Sequence, residues 1–94
     1  IDTAGTICQA AAALREHGAA QVIAAATHPI LSGPAAKRLN ASAFEEVIVT
    51  NTLPIRDDLH IPKLTVLSIA PLLAKAIQEV FVDGSVTSLF DGVE

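Results

Sequence analysis

Positive charge is scarce in this 94-residue chain. Six Lys and Arg stand against ten Asp and Glu, a formal net charge of −4. Six cations give no basic stripe for a nucleic-acid backbone. The aromatic residues are three Phe, so base-stacking platforms are excluded as well. The single cysteine, Cys8, has no partner for an internal disulfide. It lies beside the apolar positions of a helical pattern and reads as a small buried residue in a reducing compartment. No apolar run approaches the roughly 18 residues of a membrane span. No basic segment precedes an apolar one, so no secretory signal is expected.

What is present is apolar. Hydrophobic residues make up 51% of the chain, enough for one small α/β domain with its sheet covered on both faces, or with surface intended for a partner. The mean hydropathy is +0.50.

The pattern begins with Ile1-Asp2-Thr3-Ala4-Gly5-Thr6. An acid, two threonines and two small residues lead directly into a helix. Ala4 and Gly5 keep bulk away from the backbone, so its N–H groups can approach a phosphate. Thr3 and Thr6 add hydroxyl donors, and the helix aims its free N–H groups and positive dipole end at the same point. The simpler alternative is that Asp2 or Thr3 caps the helix. Such loops normally follow a buried strand. None precedes Ile1, so the chain is expected to start inside a motif.

The first helix is expected over about Ala4 to His17, with Ile7, Ala10, Ala11 and Leu14 as its apolar stripe and Gly18 as its stop. Gln21–Ala26 reads as a buried strand. Ser32 is the expected cap of a second helix, with Pro34 in its first turn and Asn40 to Ser42 closing it. Val47–Val49 is the next strand. Leu53 to Pro62, with two prolines and the charges Arg56, Asp57 and Asp58, reads as an irregular surface connection. Leu64–Leu67 is the third strand. Ser68 and Pro71 open a last helix whose apolar face is Leu72, Leu73, Ala76, Ile77 and Val80, with Asp83-Gly84 as its end. The fold class is α/β: a three-layer, open, mostly parallel sheet flanked by helices, incomplete at its N-terminal end. Ligands bind beyond the carboxyl ends of strands in such sheets. Three loops are therefore expected to gather there: Asp2–Thr6, Thr27–Ser32 and Thr50–Thr52.

Among single residues, His28 at a strand end is the most suggestive. A metal role requires further ligands that the spacing does not supply, so a structural hydrogen bond is favoured. Asn51 could cap or staple its loop or face the ligand, and the structural role is favoured. His60 and the Asp57-Asp58 pair read as solvated loop residues.

Four stretches together resemble one family. Ile1 to Thr6 is similar to the second half of the phosphoribosyl-binding loop of type I phosphoribosyltransferase folds. Ala26-Thr27-His28-Pro29-Ile30-Leu31-Ser32-Gly33-Pro34-Ala35, Val49-Thr50-Asn51-Thr52-Leu53-Pro54 and Ser85-Val86-Thr87-Ser88-Leu89-Phe90 resemble, in that order, segments of the ribose-phosphate pyrophosphokinases. Those enzymes make phosphoribosyl pyrophosphate from ATP and ribose 5-phosphate. The resemblance implies a cytoplasmic, Mg2+-dependent enzyme, commonly a homo-hexamer, with two similar α/β domains per subunit. Residues 1–94 would be most of the second. Asp2, Thr3, Ala4, Gly5 and Thr6 would hold the 5-phosphate of ribose 5-phosphate. Ser85 and Thr87 would fall at a regulatory phosphate or ADP site between subunits, with Phe90 beside it.

The chain departs from the family in three places. Two acids expected before Ile1 are absent, Pro29 replaces a usual glycine, and Thr87 replaces a commoner serine. The family's ATP pocket, metal ligands and catalytic lysine and arginine have no match here, so no catalytic or metal-binding residue is expected in this chain. Two other functions share the loop: a phosphoribosyltransferase that consumes phosphoribosyl pyrophosphate, and a non-catalytic regulatory paralogue.

Overall fold

Alanine-rich helical segments alternate with short β-branched runs, and the backbone follows that alternation. A computed structural model describes residues 1–82. The elements are α1 (Gly5–Glu16), β1 (Ile23–Ala26), α2 (Ala35–Ala41), β2 (Glu46–Thr50), β3 (Leu64–Leu67) and α3 (Ala70–Phe81). The sheet order is β1-β2-β3, and both pairings are parallel, as the sequence predicts. A helix connects β1 to β2. The β2–β3 connection is irregular, but it is not mere surface, since Ile61 is buried and Leu59 packs on the core.

Register divides the sheet into two unlike faces. Ala24 pairs with Val47 and Ala26 with Val49, while Leu64 and Val66 continue those two rows on β3. This face meets the helices. Val47 and Val49 are fully buried, together with Ala11 of α1 and Ala35 and Leu39 of α2. Each large side chain removed from water here contributes about 1.5–3 kcal/mol. The opposite face carries Ile23, Ala25, Ile48 and Leu67. Ile23 is 51% exposed and Leu67 54%. The run expected as the buried strand Gln21–Ala26 is thus a shorter edge strand that alternates between exposed and half-buried positions.

The helix ends differ from expectation. Neither Asp2 nor Thr3 caps α1. The N-cap is Ala4, in the left-handed region at φ 67°, ψ 9°, without a side-chain hydrogen bond. The buried stripe is displaced accordingly: Ala4 and Ala11 are buried, Ile7 and Cys8 half-buried, and Ala10 and Leu14 exposed. Cys8 is therefore partly accessible rather than buried. Gly18, at φ 100°, ends α1 as predicted. Its N–H donates to Arg15 O and the Ala19 N–H to Leu14 O, the paired bonds that close a helix through a left-handed residue. Ser32 does not cap α2, whose N-cap is Pro34. The Ser32 hydroxyl is turned to Asp2 instead. Ser68 does serve the start of α3, its hydroxyl accepting from the Ala70 N–H at 3.1 Å. The expected stop of that helix at Asp83-Gly84 lies outside the described residues.

Candidate functional site

Strand ends and loops meet at one edge of the sheet, where hydrogen bonds join them. The Ile1 nitrogen donates to His28 O at 3.0 Å. The Leu31 and Ser32 N–H groups donate to the Ile1 and Asp2 carbonyls, each at 3.0 Å. The Ser32 hydroxyl donates to the Asp2 carboxylate. Thr27 O, at the end of β1, accepts from the Thr50 hydroxyl at 2.6 Å and the Thr52 hydroxyl at 3.1 Å. His28 Nδ1 lies 2.8 Å from Thr52 Oγ1, a bond that ties the second loop to the third. The three loops expected to gather do so.

A fourth joins them. Asn51 Oδ1 accepts from the Ile69 N–H at 2.9 Å, so Asn51 staples its loop to the start of α3. His28 and Asn51 both play the structural parts expected of them. Arg56 and Asp58 form an exposed ion pair at 3.5 Å, well within the solvated reading of that turn.

Residues Ile1 to Ile7 line a hollow of about 190 Å³. Its shape follows from the turn at Ala4. A left-handed residue followed by right-handed helical ones brings successive N–H groups round into a concavity that suits an anion. The N–H groups of Gly5, Thr6 and Ile7 have no acceptor within α1, because the first intrahelical acceptor, Ala4 O, is taken by Cys8 at 3.2 Å. The dipole of a 12-residue helix adds partial positive charge at the same place. Thr3 and Thr6 are exposed at the rim. Ala4 is buried and belongs to the core cluster, so the turn is anchored in the core while its neighbours line the hollow. Left-handed φ costs an L-residue roughly 1–2 kcal/mol, and a second such residue, Leu31 at φ 52°, sits in the loop that braces this one. Strained backbone collected at one crevice marks a place where geometry has been kept at the expense of stability.

One residue at this edge escaped the sequence reading. Arg38, on α2, donates from Nη1 to Thr3 O at 3.1 Å. A Cβ placed on Gly5 would lie 3.0 Å from that nitrogen. The guanidinium therefore rests against the loop, and the small residue at position 5 leaves it room. Nothing local in the sequence marks Arg38, since its partner is 35 residues away. Ser85, Thr87 and Phe90 lie outside the described residues. Among the described residues no three His, Cys, Asp or Glu side chains converge to hold a metal ion. None of the described helices is long and apolar enough to cross a membrane.

The phosphoribosyl synthetase-associated domain model matches residues 1–91. A ribose-phosphate pyrophosphokinase of Streptomyces coelicolor is 63% identical over 91 residues, 97% of this chain and 28% of that protein. One from Mycobacterium tuberculosis is 63% identical over 92 residues, again 28% of its length. The crystal structure of phosphoribosylpyrophosphate synthetase from Mycobacterium smegmatis superposes with a TM-score of 0.84 at 61% identity, covering 89% of this chain and 28% of that one. The chain thus spans little more than a quarter of the relatives it matches.

Proposed function

The chain belongs to the phosphoribosyl synthetase-associated domain family, and from that premise we propose that it is the ribose 5-phosphate-anchoring part of a ribose-phosphate pyrophosphokinase. The observation that carries this reading is the N–H concavity at Ala4 and Gly5, heading α1 and rimmed by Thr3 and Thr6. Residues 1–94 would lie in the C-terminal domain of a cytoplasmic, homo-hexameric enzyme that moves the diphosphoryl group of ATP to the anomeric hydroxyl of ribose 5-phosphate and releases AMP.

Transfer of this kind depends on positioning and on neutralising charge. In this chain the N–H groups of Gly5, Thr6 and Ile7 and the hydroxyls of Thr3 and Thr6 would hold the 5-phosphate, with Asp2 fixing the loop through Ser32. Binding energy at that remote end places the anomeric oxygen in line with the β-phosphorus. Mg2+ would supply charge neutralisation to the diphosphoryl group. Among the described residues no three His, Cys, Asp or Glu side chains converge on a metal, and the anchor proposed here is made of N–H and O–H groups. Catalytic residues and the ATP pocket would belong to other parts of the enzyme, and the isolated chain should form no AMP. Ser85 and Thr87, with Phe90 beside them, are carried by the resemblance as a regulatory phosphate or ADP site. Replacing both hydroxyl residues (Ser85→Ala with Thr87→Val) should change activation by phosphate or inhibition by ADP.

The test uses a chimera in which this chain replaces the matching segment of the Streptomyces coelicolor relative. A hydrogen bond to a charged group is worth about 1.5–3 kcal/mol, so Thr3→Ala or Thr6→Ala should weaken ribose 5-phosphate binding roughly 10- to 150-fold. The KM for ATP should stay constant. Among the described residues neither threonine side chain makes a hydrogen bond, so folding stability should barely move. Unchanged ribose 5-phosphate affinity in both variants would remove the assignment.

A further inference from the structure

We infer that Arg38 is a positioning residue for the anion loop, acting through the Thr3–Ala4 peptide rather than by touching the ligand. This deepens the phosphate-anchoring reading and rests on it.

The geometry is that of a peptide plane held by one edge. In a trans peptide the C=O and the following N–H point in opposite directions. Arg38 Nη1 holds the Thr3 carbonyl at 3.1 Å, so the Ala4 N–H of the same plane is turned away from the guanidinium. The two preceding carbonyls, of Ile1 and Asp2, are held by the N–H groups of Leu31 and Ser32. Three consecutive carbonyls are therefore fixed from the 31–38 segment, and Arg38 supplies the last and only side-chain member. Its hold falls immediately before Ala4, the residue whose left-handed φ of 67° opens the concavity. A conformation costing roughly 1–2 kcal/mol needs restraint on both sides. Helix α1 restrains it after Ala4, and Arg38 restrains it before.

The ion pair found among the described residues is Arg56 with Asp58, so no salt bridge there draws Arg38 away from the Thr3 carbonyl. Arg38 also forms one wall of a cleft of about 580 Å³ between α1 and α2, which it shares with Gly5. A methyl at position 5 would press on Nη1 at 3.0 Å, so Gly5→Ala offers a second way to move the guanidinium without removing it.

The experiment uses the same full-length chimera, with Thr6→Ala as the reference for the binding reading. Arg38→Gln should raise the KM for ribose 5-phosphate about tenfold, with kcat and the KM for ATP unchanged. Arg38→Lys, which retains a donor, should recover part of the loss. In the ligand-free protein, amide exchange at residues 3–5 should accelerate in Arg38→Gln. Combined with Gly5→Ala, the effects should be less than additive, since both act on one contact. If Thr6→Ala weakens binding and Arg38→Gln does not, the Arg38 assignment fails and the anchor reading stands. If affinity falls while loop exchange is unchanged, Arg38 contacts the ligand directly and positioning is overturned. If Thr6→Ala and Arg38→Gln are both without effect, the anchor reading and the proposal fall together.

Discussion

The first helix and the last are each twelve residues long, and they meet opposite fates. Helix α1 buries Ala11 completely and places Ile7 and Cys8 against the core. Helix α3 buries no residue: Leu73 is 51% exposed, Ile77 67% and Val80 69%. Yet α3 has the more obvious apolar stripe. The stripe of α1 is mostly alanine, and alanine lets backbones come close without announcing which positions do so. An apolar face in a sequence therefore states a demand for cover, and the covering element has to be sought elsewhere. The same holds for the sheet, where one face is closed at Val47 and Val49 of β2 but leaves Val66 of β3 46% exposed, and the face with Ile23 and Leu67 is open. Parallel sheets are ordinarily covered on both faces.

That contrast can be broken most forcefully at Leu39. It lies fully buried between α2 and the closed face of the sheet. Leu39→Ala removes buried methyl groups and leaves a cavity, so the chain should lose about 2–5 kcal/mol of stability. Urea unfolding followed by circular dichroism measures it. A loss under about 1 kcal/mol would mean that the closed face is not the folding core.

Much of this fold was legible because strands announce themselves by composition and spacing. The expected strand Leu64–Leu67 coincides with β3, and the parallel pairings follow from the helix between β1 and β2 and the absence of hairpin turns. The gathering of three loops at the strand ends was legible from topology. What misled was local chemistry with two uses. Asp2 and Ser32 are both good cap residues, and they bond to each other across 30 positions instead. Ala4 reads as a small residue in the sequence, and its left-handed φ of 67° is a conformation that alanine does not advertise. Arg38 was silent because its role exists only once α2 lies beside the loop. The burial of Leu14 was overestimated because the periodicity fixed a stripe's spacing and not its phase, which Ala4 sets by entering the core.

A smaller effect should appear at Ala4 itself, where the closed region and the candidate site meet. A β-branched residue in the left-handed region is a genuine outlier. Ala4 is also 6% exposed, so added methyl groups have little room. Ala4→Val should cost about 1–3 kcal/mol from strain and overpacking combined. It should weaken ribose 5-phosphate binding in the chimera more than Ala4→Gly does, because glycine keeps the turn. If Val and Gly at this position bind alike, the left-handed turn does not shape the anion hollow.

The smallest effect is expected on α3, and it is the one that most sharpens the comparison. Ile77 carries a side chain as large as Leu39 but leaves 67% of its surface in water. Truncating it forms no cavity, and exposed substitutions usually stay within about 0.5 kcal/mol. Helix propensity runs the other way, since alanine is the better helix former by a few tenths of a kcal/mol. The two contributions nearly cancel, so Ile77→Ala should leave the stability of the 94-residue chain unchanged within about 0.5 kcal/mol, measured beside Leu39→Ala under the same conditions. In the chimera the same substitution meets whatever covers this face in the longer protein, and a cost that appears only there would measure that cover directly. A loss in the isolated chain as large as that of Leu39→Ala would mean that the face of α3 is already packed in solution, and the contrast between the two helices would disappear.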